Sequence, residues 1–215
     1  MSGSSDNLDS ITEQIRASLT AKDAAREKVL PLCRETIRFS SLAIRALHRQ
    51  EFSEARKLLK SARKLLDESE RNLAGASELR NIGFLHDAQK EYAEGSIALA
   101  LVERKLLPTP EELNVDPAAY LNGLGEAAGE LRRYLMDSIR GGDLTRGEEL
   151  LAAMDEIYSV LVTIDFPDAI TGGLRRTTDM VRGVLEKTRS DLTLVMRQQS
   201  LEQRLETLEK KGRLV

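Results

Sequence analysis

The residues of this chain best suited to chemistry are two pairs of glutamates. Glu91 and Glu94 lie in Gln89-Lys90-Glu91-Tyr92-Ala93-Glu94. Glu126 and Glu130 lie in the stretch from Tyr120-Leu121-Asn122-Gly123 to Gly129-Glu130-Leu131. Both stretches read as helix, where spacings of three and four residues place the two acids of a pair on one face. Neither pair has an evident cation beside it. Position 95, four after Glu91, is Gly, position 98, four after Glu94, is Ala, and four after Glu126 comes another acid, Glu130. Like charges one turn apart weaken a helix slightly. Carboxylates left unpaired among small and apolar residues suit a divalent cation, because hard ions such as Mg²⁺ take oxygen ligands. Chance is the competing reading. The chain has 35 acidic residues in 215, and Glu68 with Glu70 or Glu148 with Glu149 show how freely they cluster.

The elements that must position these acids are helices. Apolar residues recur at helical spacing nearly throughout, beginning with Leu8, Ile11, Ile15 and Leu19. A first helix is expected over about Leu8–Gln50, with a kink or break near Val29 caused by Pro31. A second covers about Phe52–Ala74, with Ala55, Leu58, Leu59, Ala62, Leu65 and Leu66 inward and Arg56, Lys57, Lys60, Arg63 and Lys64 outward. The third, about Ile82–Leu106, carries Glu91 and Glu94 and ends at Leu107-Pro108. Thr109-Pro110-Glu111-Glu112 can start a short helix. The fourth, about Pro117–Arg140, carries Glu126 and Glu130 and stops at Gly141-Gly142. A fifth spans about Leu144–Thr163, and a last one runs from about Pro167 toward Lys210 with a break at Gly172-Gly173. Strand alternation, hairpin turns and fixed-period repeats are absent. The chain reads as one all-α domain, 1–215, of six to seven long helices, with residues 1–7 a flexible tail.

Bulk composition agrees with this and narrows the function classes. Hydrophobic residues make up 41% and charged residues 31%, with five Pro, one Cys and no Trp. That is the make-up of a helical protein whose core is built from Leu, Ile, Val and Ala. No segment approaches the roughly 20 apolar residues of a membrane span, and the polar first ten residues do not resemble a signal peptide. Cys33 has no intrachain partner for a disulfide, so a reducing, cytoplasmic location is the default. It reads as a packed small hydrophobe. A net charge of −3 gives no global attraction to nucleic acid, so binding of that kind needs local basic surface.

Glu91-Tyr92-Ala93-Glu94 on the third helix resembles a motif of the translin superfamily. So do Tyr120-Leu121-Asn122-Gly123 leading into Gly129-Glu130-Leu131, and the polar turn Ser138-Ile139-Arg140-Gly141-Gly142-Asp143. Leu174-Arg175-Arg176 through Val181–Lys187 is similar to that family's closing helix. The resemblance spans nearly the whole chain, and the two middle stretches are its specific part. It implies a translin-like bundle that self-associates into a homo-oligomer, an octameric barrel, and binds single-stranded RNA and possibly single-stranded DNA. The family has two branches. Translin itself lacks the acids, whereas the translin-associated factor X branch is a Mg²⁺-dependent endoribonuclease that carries them. The resemblance therefore implies that Glu91, Glu94, Glu126 and Glu130 are catalytic and hold Mg²⁺, or Mn²⁺ in its place, with Glu130 as fourth ligand or general base. Glu126 stands where the family usually has Asp, one methylene shorter. Lys90 and Asp87 are neighbours of lesser weight.

Substrate capture by such a site would need cations. Arg34, Arg38 and Arg45 on the first helix, Lys57, Lys60 and Lys64 on the second, and Arg175 and Arg176 on the last are the candidates. Contacts of this kind would be salt-sensitive and indifferent to sequence, although such residues are also the ordinary solvated face of a helix. With four Phe and four Tyr, base stacking can add little. Leu192, Val195, Met196, Gln199, Leu205 and Leu208 form a stripe suited to packing or to an oligomer seam. Two readings compete with the nuclease. One is a non-catalytic nucleic-acid-binding oligomer like translin. The other is a metal-independent ribonuclease of the HEPN type, which Arg80 followed by His86 would fit.

Overall fold

The computed structural model describes residues 2–74 and 83–212. Among the described residues it contains helices and no strand: α1 (Ser2–His48), α2 (Phe52–Asn72), α3 (Gly83–Val102), α4 (Pro110–Leu113), α5 (Pro117–Arg140), α6 (Gly147–Val162), α7 (Asp168–Thr171) and α8 (Leu174–Gly212). Six are long and two are single turns, as the expected all-α architecture requires. α1 packs on α2 and α3, α3 lies against α5, and α5 is backed by α6 and α8.

Several boundaries follow from local chemistry. The Thr109 hydroxyl accepts from the Glu112 N–H while the Glu112 carboxylate accepts from the Thr109 N–H, a reciprocal cap that starts α4. The Asp116 carboxylate accepts from the Ala118 N–H ahead of Pro117 and starts α5. Gly172 and Gly173, at φ 61° and 84°, turn the chain between α7 and α8, a left-handed conformation that glycine adopts without strain. This is the break expected at that pair.

Pro31 behaves differently from expectation. α1 continues as one helix through it rather than breaking near Val29. Proline removes the donor that would satisfy the Glu27 carbonyl. Both residues are exposed, so water can take that carbonyl and the helix tolerates the loss. α1 also begins at Ser2, ahead of Leu8.

One core joins the long helices, with Leu47, Leu66, Ile97, Leu131, Leu135, Met154 and Leu161 among its fully buried side chains. Cys33 belongs to it, and burial pushes its thiol up to about 11. It is a packed hydrophobe with little thiolate. The core ends well before the chain does. Leu8, Ile11, Ile15 and Leu19 of α1 are exposed, and so are Met196, Leu201, Leu205 and Leu208 of α8; Leu192 is buried. No helix among the described residues is long and apolar enough to cross a membrane.

Candidate metal centre

A close approach of α3 to α5 at Gly123 sets the geometry. At Gly123 a Cβ would lie 2.7 Å from the Lys90 carbonyl oxygen and 2.9 Å from the Glu94 amide nitrogen. Those are backbone atoms that cannot step aside, so only glycine fits. Two residues on, a Cβ at Gly125 would collide with the Thr177 methyl of α8. Just before them Asn122 is buried, its amide nitrogen donating to the carbonyls of Ala118 (2.9 Å) and Thr171 (2.8 Å). Its oxygen accepts from the Thr177 hydroxyl (2.7 Å). The stretch Tyr120–Glu126 is therefore a joint, pressed against α3 on one side and tied to α7 and α8 on the other.

That joint brings the two acid stretches together. Glu91, Glu94 and Glu126 each offer a carboxylate oxygen, and these oxygens all lie within 4.8 Å of one another. They open into a cleft of about 410 Å³ lined also by Glu130, Ser41, Ile44, Arg45, Arg133 and Met180. Glu94 is 7% exposed and, like Glu91, has no hydrogen bond or ion pair of its own among the described residues. Burial above all, reinforced by Glu91, Glu126 and Glu130, pushes its carboxyl up to about 9. Glu91 is raised as well, first by burial; Lys90 opposes the shift while Glu126, Asp87 and Glu130 add to it. A buried acid crowded by other acids keeps its proton until a cation arrives.

Two of the four acids do have cationic or proton-bearing partners, which corrects the expectation that none would. Lys90 Nζ donates to Glu126 Oε1 at 2.7 Å, and His48 Nε2 lies 2.5 Å from Glu130 Oε2. These partners are 36 and 82 residues away in sequence, on α3 and at the end of α1. A search along one helix face cannot find them. Burial lowers the Lys90 pKa, but Glu126, Glu91 and Asp87 more than offset it, so the net shift is upward and the side chain stays an ammonium. His48 is itself buried, with its Nδ1 unpartnered among the described residues. Glu130 lines the cleft but stands outside the converging trio, its carboxylate taken up by the histidine.

The basic candidates separate. Arg45 lines the acid cleft. Arg34 and Arg38 are exposed further along α1, Arg38 paired with Glu35 and stacked on the Phe39 ring at 4.7 Å. Lys57 faces solvent near Glu54 at 3.6 Å, and Lys64 is exposed. Lys60 lines a different cleft of about 450 Å³ with Arg56, Arg63 and Tyr92. Arg175 lines a third beside Phe166 and approaches Asp165 at 3.5 Å, while Arg176 is exposed. Arg133 belongs to the acid cleft and was missed, although its place three residues after Glu130 puts it on nearly the same face. Ser41 and Met180, also missed, carry no such signal. His86 has its Nε2 buried and unpartnered against Gly172, and Arg80 lies outside the described residues.

Known proteins with this architecture exist. The chain is 28% identical over 196 residues to an uncharacterized protein of Methanocaldococcus jannaschii, an alignment covering 89% of this chain and 85% of that one. Among solved structures it is similar to AfC3PO in a complex with duplex RNA (TM-score 0.76, 34% identity, 86% of this chain and 95% of that chain). A crystal structure of AfC3PO gives the same TM-score and identity. It also resembles apo-NeC3PO (TM-score 0.76, 18% identity, 85% and 96% covered), a likeness of fold alone. Scanned against models of known families, the chain matches none.

Proposed function

The chain belongs to the translin superfamily, on the side of the C3PO and factor X-like proteins, and on that premise we propose that it binds RNA and cleaves its phosphodiester backbone with a divalent metal, working as a homo-oligomer. One observation carries the catalytic part: three carboxylates with oxygens within 4.8 Å, the most buried of them, Glu94, pushed up to about 9 by burial and by the neighbouring acids. The donor set fits a hard ion. Three carboxylates and no thiol or imidazole in the trio suit Mg²⁺ or Mn²⁺. An ion would supply the charge that Glu94 lacks.

Glu91, Glu94 and Glu126 are the residues that would hold Mg²⁺. When bound, the metal supplies positive charge to the phosphoryl oxygens and Lewis acidity toward water. The rest is the work of side chains already in place. Arg45 and Arg133 on the cleft wall would take non-bridging phosphate oxygens and orient the strand. Glu130, fixed through Oε2 by His48, keeps Oε1 as the acceptor for the proton of an attacking water. RNA as the ligand class is supported by the relative solved with duplex RNA. Single-stranded RNA or DNA and an octameric barrel extend the reading.

The Lys90–Glu126 and His48–Glu130 pairs favour a second reading, in which the acids are internal ties of a binding protein without catalysis. One assay separates the two. Purified chain should cut single-stranded RNA with Mg²⁺ or Mn²⁺ and stop on adding EDTA. Glu91→Ala combined with Glu94→Ala should lower cutting at least about a hundredfold while RNA retention on a filter persists. Retention without cutting under either metal leaves the binding protein. Cutting that survives EDTA and is lost in His86→Ala would mean metal-independent chemistry.

A further inference from the structure

Lys90 has no part in the catalytic roles assigned so far, yet its charge lies against one of the three converging carboxylates. From α3 its Nζ reaches Glu126 Oε1 at 2.7 Å, and Glu91 and Asp87 also act on it. Glu126 is one of the three converging carboxylates. An ammonium on one of these oxygens and a divalent ion among them would lie within a few ångströms, where like charges repel strongly in partly buried surroundings. The two cations compete for one carboxylate. The Lys90 side chain is 22% exposed, which leaves it room to swing, and a lysine stem is flexible with a compact charge at its end.

We propose that Lys90 is an exchangeable counter-ion: it neutralises Glu126 while the centre holds no metal, is displaced when a divalent cation binds, and then takes an oxygen of the phosphodiester. The inference rests on the metal-dependent reading above. Its physical content is a coupling between two sites. If the metal loosens the hold of Lys90, Lys90 must weaken the metal by the same factor. Charge then changes hands in order. The metal-free cluster is partly neutralised from within, and metal arrival frees an ammonium at the place where an anionic substrate enters. A fixed structural pair would behave in the opposite way, because removing its lysine would disorder Glu126 and loosen the metal.

The test measures Mn²⁺ binding to the full chain by electron paramagnetic resonance, without RNA. Lys90→Gln should bind Mn²⁺ about tenfold tighter than the unaltered chain, and Glu94→Gln should abolish binding. A non-cleavable 2′-O-methyl single-stranded oligoribonucleotide followed by fluorescence anisotropy reads the second half. Mn²⁺ should strengthen its binding to the unaltered chain, and Lys90→Gln should lose most of that gain. Mn²⁺ affinity unchanged or weaker in Lys90→Gln, with the Glu94-dependent site intact, overturns the inference and leaves the metal reading standing. So does a gain equal to that of the unaltered chain, or no gain in either. No Mn²⁺ site sensitive to Glu94→Gln removes the reading and the inference together. Should Lys90→Gln lose its helical circular dichroism, Lys90→Arg decides. Holding Glu126 through two N–H groups, it should bind Mn²⁺ more weakly than the unaltered chain, and equal or tighter binding sinks the proposal.

Discussion

Burial holds the Glu94 carboxyl at about 9 against an ordinary 4.5, so the folded chain keeps a proton that the unfolded chain gives up. The sign follows from linkage. The stability tied to this group is fully present below about pH 4.5 and is lost as pH rises through about 9. Glu91, shifted in the same direction, adds to the trend. In metal-free protein the urea midpoint should therefore fall between those limits, and Glu94→Gln should flatten the fall and be the more stable form at pH 9. Metal binding reads the same proton from the other side, since a ligating carboxylate must be ionised. Calorimetry of Mn²⁺ binding in buffers of different ionisation heat should report release of about one proton per ion at neutral pH. No release would remove Glu94 from the ligands.

The helices determine which acids can meet. Gly123 lets the α3 and α5 backbones touch, so Gly123→Ala should cost about 1–3 kcal/mol in urea unfolding and weaken Mn²⁺ by moving Glu126 away from Glu91 and Glu94. Gly129→Ala is the control on the same helix. A Cβ there meets nothing within 4 Å, and the change should be neutral or stabilise by about 0.5–1 kcal/mol. The contrast explains what was legible in the sequence. Periodicity gave the helices and showed that Glu91 shares a face with Glu94 and Glu126 with Glu130. It could not show that α3 and α5 meet at Gly123, because a glycine needed for close approach looks like any other glycine. Nor could it assign Lys90 to Glu126 or His48 to Glu130, since both pairs depend on how distant helices cross. Pro31 misled for a related reason. Its helix-breaking cost falls on the carbonyl of Glu27, an exposed residue.

As a whole the molecule is a packed centre with two overhanging ends. The leucines of α1 and α8 near those ends are exposed among the described residues, and the proposed oligomer would cover them. Leu205→Asp with Leu208→Asp should lower the mass found by light scattering while leaving the circular dichroism unchanged; an unaltered mass would place the contacts elsewhere. RNA affinity should fall steeply with salt if Arg45 and Arg133 meet phosphates. The buried Asn122 has a consequence for the order in which the protein is made. Two of its partners, the Thr171 carbonyl and the Thr177 hydroxyl, lie 49 and 55 residues further on. A growing chain that has already emitted all four acids therefore leaves this amide without those two bonds. Only when α7 and the first turn of α8 have emerged can the joint around Asn122 be complete. A chain made only as far as α5 carries all four acids without the two bonds that tie α5 to α7 and α8.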